Sequence, residues 1–328
     1  MIEAAIGIDI GGTNSVFGIV DKEGKCLSES SIKTNEHETA REFVNTMADE
    51  IKKLIKGYKE ELNIVGIGIG APNGNYFNGT VEFAPNLRWR GVIPFCELFK
   101  EHFNMPIILT NDANAAAIGE MMYGAAKEMR DFFIVTLGTG LGSGFVANGE
   151  MIYGHDGFAG ELGHTIAVSD GRACGCGRKG CLEQYASASG IVKTVKELLK
   201  SNHKSILNEK PEEEITSKNI FEAAKKGDKL ALEAFDYTGK ILGRSLSDAV
   251  AITSPEAIIL FGGLALAGEY IFEPTKRYME DNMLNIFKNK VKLLPSKITN
   301  SNAAILGASA LVWKNVKQSQ KSNVKSQK

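Results

Sequence analysis

Twice in this chain a short apolar strand runs into a glycine-rich turn and comes back as a second strand. The first copy is a strand over 5–10, the turn Asp9-Ile-Gly11-Gly12-Thr13-Asn14 and a strand over 15–20. The second is a strand over 132–137, the turn Gly138-Thr139-Gly140-Leu-Gly142 and a strand over 143–147. One unit used twice within 328 residues predicts two related sheets in two domains rather than a single large core. After the first copy, Asp21-Lys-Glu-Gly24 reads as a hairpin turn into a third strand that ends at 32. A helix follows over 39–58, with Phe43, Met47, Ile51, Leu54 and Ile55 on one face. Strands are expected over 64–69 and 106–110, the latter entering a helix over 113–123. The second half is richer in helix, at 187–199, 217–226, 229–253 and 269–283. A buried strand over 256–260 ends at Gly262-Gly263, and a helix over 303–313 closes the chain. Strands alternating with helices predict an α/β architecture in which helices cover mixed sheets.

Composition excludes several classes of function. The chain is 43% hydrophobic and 23% charged with a net charge of -1, so no global basic field favours nucleic acid or an anionic membrane. The start, Met1-Ile-Glu-Ala-Ala-Ile-Gly-Ile-Asp9, lacks the cationic region and cleavage site of a signal peptide. No uncharged apolar run reaches the ~18 residues of a membrane span. These features predict a soluble, cytoplasmic protein. The lysine- and serine-rich end, 314–328, has little to bury and is expected to be loose, with 317–328 as a disordered tail.

Five cysteines are an odd number, and three of them lie in one short segment that also follows a histidine. His164, Cys174, Cys176 and Cys181 are the three thiolates and one imidazole of a closed, tetrahedral, structural Zn²⁺ site. A disulfide is the competing reading, but nothing here points to an oxidising compartment. Cys26 and Cys96 stand apart and read as buried thiols. Both glycine turns offer bare backbone N–H groups to phosphate oxygens, and Thr13 adds a hydroxyl. Asp9, ending a strand, is placed to hold a water of Mg²⁺. Gly262-Gly263 leaves room for close approach of an adenosine. No P-loop occurs. Gly66-Ile-Gly68-Ile-Gly70-Ala71 matches a dinucleotide pattern, but Pro72-Asn73-Gly74 stands where its helix would begin. Asn111-Asp112 joins a strand to a helix, where Asn or Asp serves as an N-cap. A carboxylate in that place also suits a general base that accepts a hydroxyl proton during phosphoryl transfer. Glu161, His164 and Glu183 suit the adjacent hydroxyls of a sugar. A metal on one ring nitrogen of His164 would leave the other as a donor.

These motifs together resemble the ROK family (repressors, open reading frames and kinases), and most closely its bacterial ATP-dependent glucokinases. The resemblance runs from Asp9-x-Gly-Gly-Thr13 through Asn111-Asp112-Ala-Asn114, Leu137-Gly-Thr-Gly140, Glu161-x-Gly-His164 and Cys174-x-Cys-Gly-x-x-Gly-Cys181-x-Glu183 to Gly262-Gly263. It implies a two-lobed actin/hexokinase-like (ribonuclease H-like) fold with a cleft between lobes. The smaller lobe would take 1–118 plus a returning C-terminal helix over 302–316. The larger would take 119–301, including a zinc knuckle over 164–181. It further implies ATP- and Mg²⁺-dependent phosphorylation of the 6-hydroxyl of glucose, with Asp112 as base. Asn86, Asn111, Asp112, Glu161, His164 and Glu183 would hold the sugar. Gly11, Gly12, Thr13, Thr139, Gly140 and Gly263 would line ATP, with Mg²⁺ near Asp9. Kinases of N-acetylmannosamine, N-acetylglucosamine or fructose share most of these motifs. A sugar-sensing repressor would need a DNA-binding segment, for which the nine residues to Asp9 leave no room. The family also suggests a homodimer or homotetramer.

Overall fold

In the computed structural model, which describes residues 1–201, 204–298 and 303–326, the chain divides into two units. The first comprises Met1–Glu128, the excursion Met151–Ala159 and the C-terminal stretch from Lys297. Its elements in chain order are β1 (Ile2–Ile10), β2 (Asn14–Asp21), β3 (Cys26–Lys33), α1 (Ala40–Gly57) and β4 (Leu62–Ala71). There follow β5 (Gly74–Asn75), β6 (Thr80–Glu82), β7 (Val92–Ile93), α2 (Phe95–Lys100), β8 (Ile107–Asn111) and α3 (Asp112–Tyr123). The C-terminal helix Ala303–Ser326 completes the unit. The main sheet runs β3-β2-β1-β4-β8, with β1 antiparallel to β2 and parallel to β4.

Local chemistry sets these boundaries. The Asp21 carboxylate accepts from the N–H groups of Glu23 (3.1 Å) and Lys25 (2.8 Å), which folds the β2–β3 turn. Thr39 caps α1 by accepting from the Glu42 N–H at 3.1 Å. Phe43, Met47 and Ile51 are fully buried on its inner face, each contributing about 1.5–3 kcal/mol by transfer from water. They meet Ile6, Ile8, Ile67 and Ile69, the inward-facing residues of β1 and β4.

The other face of those strands carries glycines, because side chains alternate along a strand. The C-terminal helix lies there. A Cβ on Gly7 would come within 2.1 Å of the Ile305 carbonyl oxygen, and one on Gly68 within 1.9 Å of that of Ala308. The glycine spacing that mimics a dinucleotide motif thus serves direct backbone contact between a sheet and a helix. This helix continues to Ser326, across most of the stretch expected to be loose. Residues 302, 327 and 328 lie outside the described residues.

The second unit, Met129–Glu150 and Gly160–Ser296, repeats the plan. Its elements are β9 (Phe132–Leu137), β10 (Leu141–Ala147), β11 (Glu150–Met151), α4 (Ala188–Lys200), α5 (Ser217–Lys225) and α6 (Lys229–Thr253). After these come β12 (Ala257–Phe261), α7 (Glu269–Asn282) and β13 (Lys292–Pro295). Its sheet runs β11-β10-β9-β12-β13, and β9, like β1, is antiparallel to the strand that follows it and parallel to the neighbour on its other side. Asp228 caps α6 by accepting from the Ala231 N–H at 2.9 Å, and the core gathers Phe133, Val135, Leu242, Leu246 and Ile258.

Several sequence expectations need correction. The strand expected over 256–260 is Ala257–Phe261. Glu256 instead stands outside it, accepting from the N–H groups of Arg130 (2.8 Å) and Asp131 (3.1 Å). Cys96 is buried, but Cys26 is only half-buried. The sheet β5-β6-β7 and helix α2 had no sequence counterpart, and neither did β13. Among the described residues no helix is long and apolar enough to cross a membrane.

Candidate functional site

In the first unit the site collects where the parallel strands end. Asp9 on β1 is paired with Gly70 on β4, and Ala71 with Asn111 on β8. The Asn111 side chain caps α3 by accepting from the Ala113 N–H at 2.8 Å, so Asp112 becomes the first helical residue. Capping thus falls to Asn111, and the neighbouring carboxylate is left at the helix N-terminus. Asp9 and Asp112 flank Gly70, whose added Cβ would lie 3.6 Å from Asp9 Oδ1 and 3.7 Å from Asp112 Cα. Gly70 was not recognised as a site residue in the sequence. Its signal was there, as the last glycine of the false dinucleotide pattern.

Burial and the neighbouring Asp112 charge push the Asp9 carboxyl up to about 7. Asp112 keeps an exposed face, yet the protein crowding it raises its carboxyl too, while the Ala113 N–H bonded at 2.8 Å pulls it back down. Two neighbouring carboxyls that resist ionising together are a donor set that a divalent cation relieves, so Mg²⁺ fits here. Beside them, Gly12 lies against the exposed Asn86, with only 2.5 Å from an added Cβ to the Asn86 carbonyl. Among the described residues the Gly11 and Gly12 N–H groups donate to no protein acceptor. Thr13 is exposed in the same turn.

In the second unit the matching turn is fixed by its carbonyls. Gly138 O accepts from the Ala188 N–H at 2.8 Å, and Thr139 O from the Ser189 hydroxyl at 2.7 Å. Both donors sit at the start of α4. Again the Thr139 and Gly140 N–H groups donate to no protein acceptor among the described residues. Gly262, in the left-handed region at φ 99°, packs on Leu137 at the end of β9, and Gly263 beyond it is exposed. Both glycine elements of this unit therefore gather at one end of its sheet.

The cysteine segment folds as a knuckle. The Cys174 N–H donates to Arg178 O at 2.9 Å, and Gly177 N–H to Cys174 O at 3.0 Å. His164, Cys174, Cys176 and Cys181 bring four ligand atoms within 4.8 Å of one another. Cys176 Sγ is 3.6 Å from Cys181 Sγ, and Cys174 Sγ is 3.7 Å from His164 Nδ1. A tetrahedron with Zn–S bonds near 2.3 Å has edges of about 3.8 Å, so the set fits Zn²⁺. Charge agrees. The Arg178 backbone N–H pulls the exposed Cys176 thiol down to about 6, while burial and the adjacent sulfurs push Cys181 up. Thiolates at Cys176 and Cys181, 3.6 Å apart, would repel one another, and a cation relieves that repulsion. Nδ1 faces the sulfurs, which leaves Nε2 of His164 for another partner.

Arg172 ties the knuckle to α4. Its guanidinium donates to Gln184 O (2.7 Å), Gly190 O (3.1 Å) and Thr194 Oγ1 (2.9 Å), and it stacks on Tyr185 at 4.5 Å. Glu183 turns towards the glycine loop, where Oε2 accepts from the Leu141 N–H at 3.0 Å. Glu161 precedes the short turn Leu162–His164 and is exposed.

Known proteins are similar to this chain in sequence and in fold. The sequence profile of the ROK family matches residues 5–315. A glucokinase of Halalkalibacterium halodurans is 32% identical over 97% of this chain and 97% of its own length. A xylose repressor of Caldicellulosiruptor bescii is 30% identical over 95% of this chain but 78% of its own length. A ROK family glucokinase from Streptomyces griseus, solved in complex with glucose and AMPPNP, is 33% identical. It superposes with a TM-score of 0.78 over 94% of this chain and 98% of the other.

Proposed function

The chain belongs to the ROK family, with its duplicated actin/hexokinase-like fold, and from that membership and the site geometry we propose an ATP-dependent sugar kinase acting on the 6-hydroxyl of glucose. The observation that carries the reading is Asp112. It is a carboxylate at the end of a parallel strand, raised above its usual value and set beside a second carboxylate suited to a divalent cation. A sugar hydroxyl is a weak nucleophile. Asp112 takes its proton as the oxygen attacks the terminal phosphorus of ATP, the bond to the ADP oxygen breaks, and ADP leaves. Raising the carboxyl brings it nearer the operating pH and makes it a stronger base.

Asn86, Asn111, Glu161, His164 and Glu183 hold the sugar hydroxyls in this reading. The unpaired N–H groups of Gly11, Gly12, Thr139 and Gly140, with the Thr13 hydroxyl, receive phosphate oxygens, and Gly263 lies along the adenosine. Mg²⁺ at Asp9 neutralises the phosphate charge when bound. His164, Cys174, Cys176 and Cys181 would hold Zn²⁺, which would brace the knuckle and set the tautomer of His164. The glucokinase relatives, matched over almost their full length, support glucose as the sugar.

The test is ADP release from metal-replete protein with ATP, Mg²⁺ and glucose, mannose, fructose, N-acetylglucosamine or N-acetylmannosamine in turn. Preference for glucose, lowered roughly 10²–10⁴-fold in Asp112→Asn, is expected. Turnover with an acetamido sugar alone would move the substrate and keep the mechanism. Silence with every sugar, while sugar still binds, would refute the kinase and favour a sensor such as the repressor relatives.

A further inference from the structure

The metal knuckle and the glycine turn of the second unit are joined by one side-chain amide. Gln184 is buried, and its Nε2 carries two hydrogens. Its acceptors are Cys174 Sγ at 3.5 Å and Glu183 Oε1 at 3.3 Å. The amide oxygen of Gln184 in turn accepts from Lys193 Nζ on α4. The other oxygen of Glu183 holds the Leu141 N–H at 3.0 Å, and it fills the space beside Gly140, where an added Cβ would come within 2.3 Å of it. A continuous chain therefore runs from Lys193 to Gln184, from there to the Cys174 sulfur and the Glu183 carboxylate, and on to the backbone of the turn.

We propose that Gln184 is a positioning residue that couples occupancy of the metal knuckle to nucleotide affinity at the Thr139–Gly140 turn. This rests on reading that turn as a phosphate site. The amide shares its two hydrogens between a sulfur and a carboxylate. A metal on Cys174 would hold that sulfur in one place, and the amide bonded to it would in turn hold the Glu183 carboxylate that shapes the turn. Linkage makes the effect reciprocal: a nucleotide polyphosphate settling on the turn must in turn alter the field at the metal. Glutamine suits this place because it is a neutral double donor, which neither Glu nor Met could replace.

The experiment replaces Zn²⁺ by Co²⁺, whose visible bands report the thiolate field, and titrates AMPPNP without sugar. Wild-type protein is expected to shift its Co²⁺ spectrum on binding. Metal-free protein is expected to bind AMPPNP roughly 5- to 50-fold more weakly. Gln184→Met, which keeps the volume and removes the amide, should retain Co²⁺ but lose the spectral response, with nucleotide affinity falling several-fold. Gln184→Asn, too short to reach both acceptors, gives the same result if Met is poorly tolerated. A Co²⁺ spectrum blind to AMPPNP in wild-type protein, or affinity unaltered by the metal, overturns the coupling. Failure of metal-replete wild type to bind AMPPNP at all overturns the phosphate reading of the turn itself, a separate outcome from loss of coupling.

Discussion

Asp9 is expected to destabilise the protein in the absence of its cation, and Asp9→Asn should show by how much. Its carboxyl is raised from 3.8 to about 7, which at roughly 1.4 kcal/mol per pKa unit sets a ceiling of about 4 kcal/mol at full ionisation. Asp9 is half-buried, so solvent screens part of this, and about 2 kcal/mol remains. The sign follows from proton binding. Between the unfolded value near 3.8 and the folded value near 7, the native state holds more protons, so stability falls as pH rises through that window and levels off above it. Asparagine keeps the shape without the charge. For a unit of this size about 2 kcal/mol is about 4–8 °C in Tm. Thermal unfolding in Mg²⁺-free, chelator-free buffer from about pH 3 to about pH 8.5 should show Asp9→Asn melting higher than wild type at the alkaline end and converging with it only below the unfolded value of 3.8. Mg²⁺ with nucleotide should raise the wild-type Tm and leave the variant's nearly unmoved. Equal melting at pH 8.5, or parallel pH slopes, would refute the argument that Asp9 is strained by its own charge.

Two further outcomes are expected. Gly68→Ala should cost about 1–3 kcal/mol by overpacking, because its Cβ would lie 1.9 Å from a backbone oxygen that no rotamer change can move; a denaturant midpoint within error of wild type would show the helix free to shift. Cys176→Ser should release zinc, measurable by metal analysis, and weaken glucose binding by calorimetry. Full zinc content or unchanged affinity would contradict the knuckle's part in the sugar site.

Much of this was legible in sequence where the signal is local. Helix α6 was read to the residue, because Asp228 marks its start and Ser254, in the left-handed region at φ 47°, ends it ahead of Pro255. The knuckle was legible because metal ligands must be close in space and here are close in sequence. Strands β5, β6 and β7 have two or three residues each, too few for any period to show. What Gly7 and Gly68 meet was hidden for another reason: a sequence shows the missing side chain but not the helix, more than two hundred residues later, that needs the space. The flanking of Gly70 by two carboxylates likewise depends on strand register. Asn111 and Asp112 show that one strand end can supply both a cap and a carboxylate at the helix N-terminus, from adjacent residues.

The seating of the last helix on Gly7 and Gly68 also sets the order in which a growing chain can finish. The strands of unit one's main sheet all lie within 2–111, yet the face that carries Gly7 and Gly68 stays uncovered until the segment after Lys297 has been synthesised. At roughly 5–20 residues per second that wait lasts on the order of ten to thirty seconds. The second unit, all of whose strands precede Ser296, has its entire chain made before that segment begins. The half of the molecule that is translated first is therefore the half that closes last, and a ribosome stalled before Ala303 leaves it open.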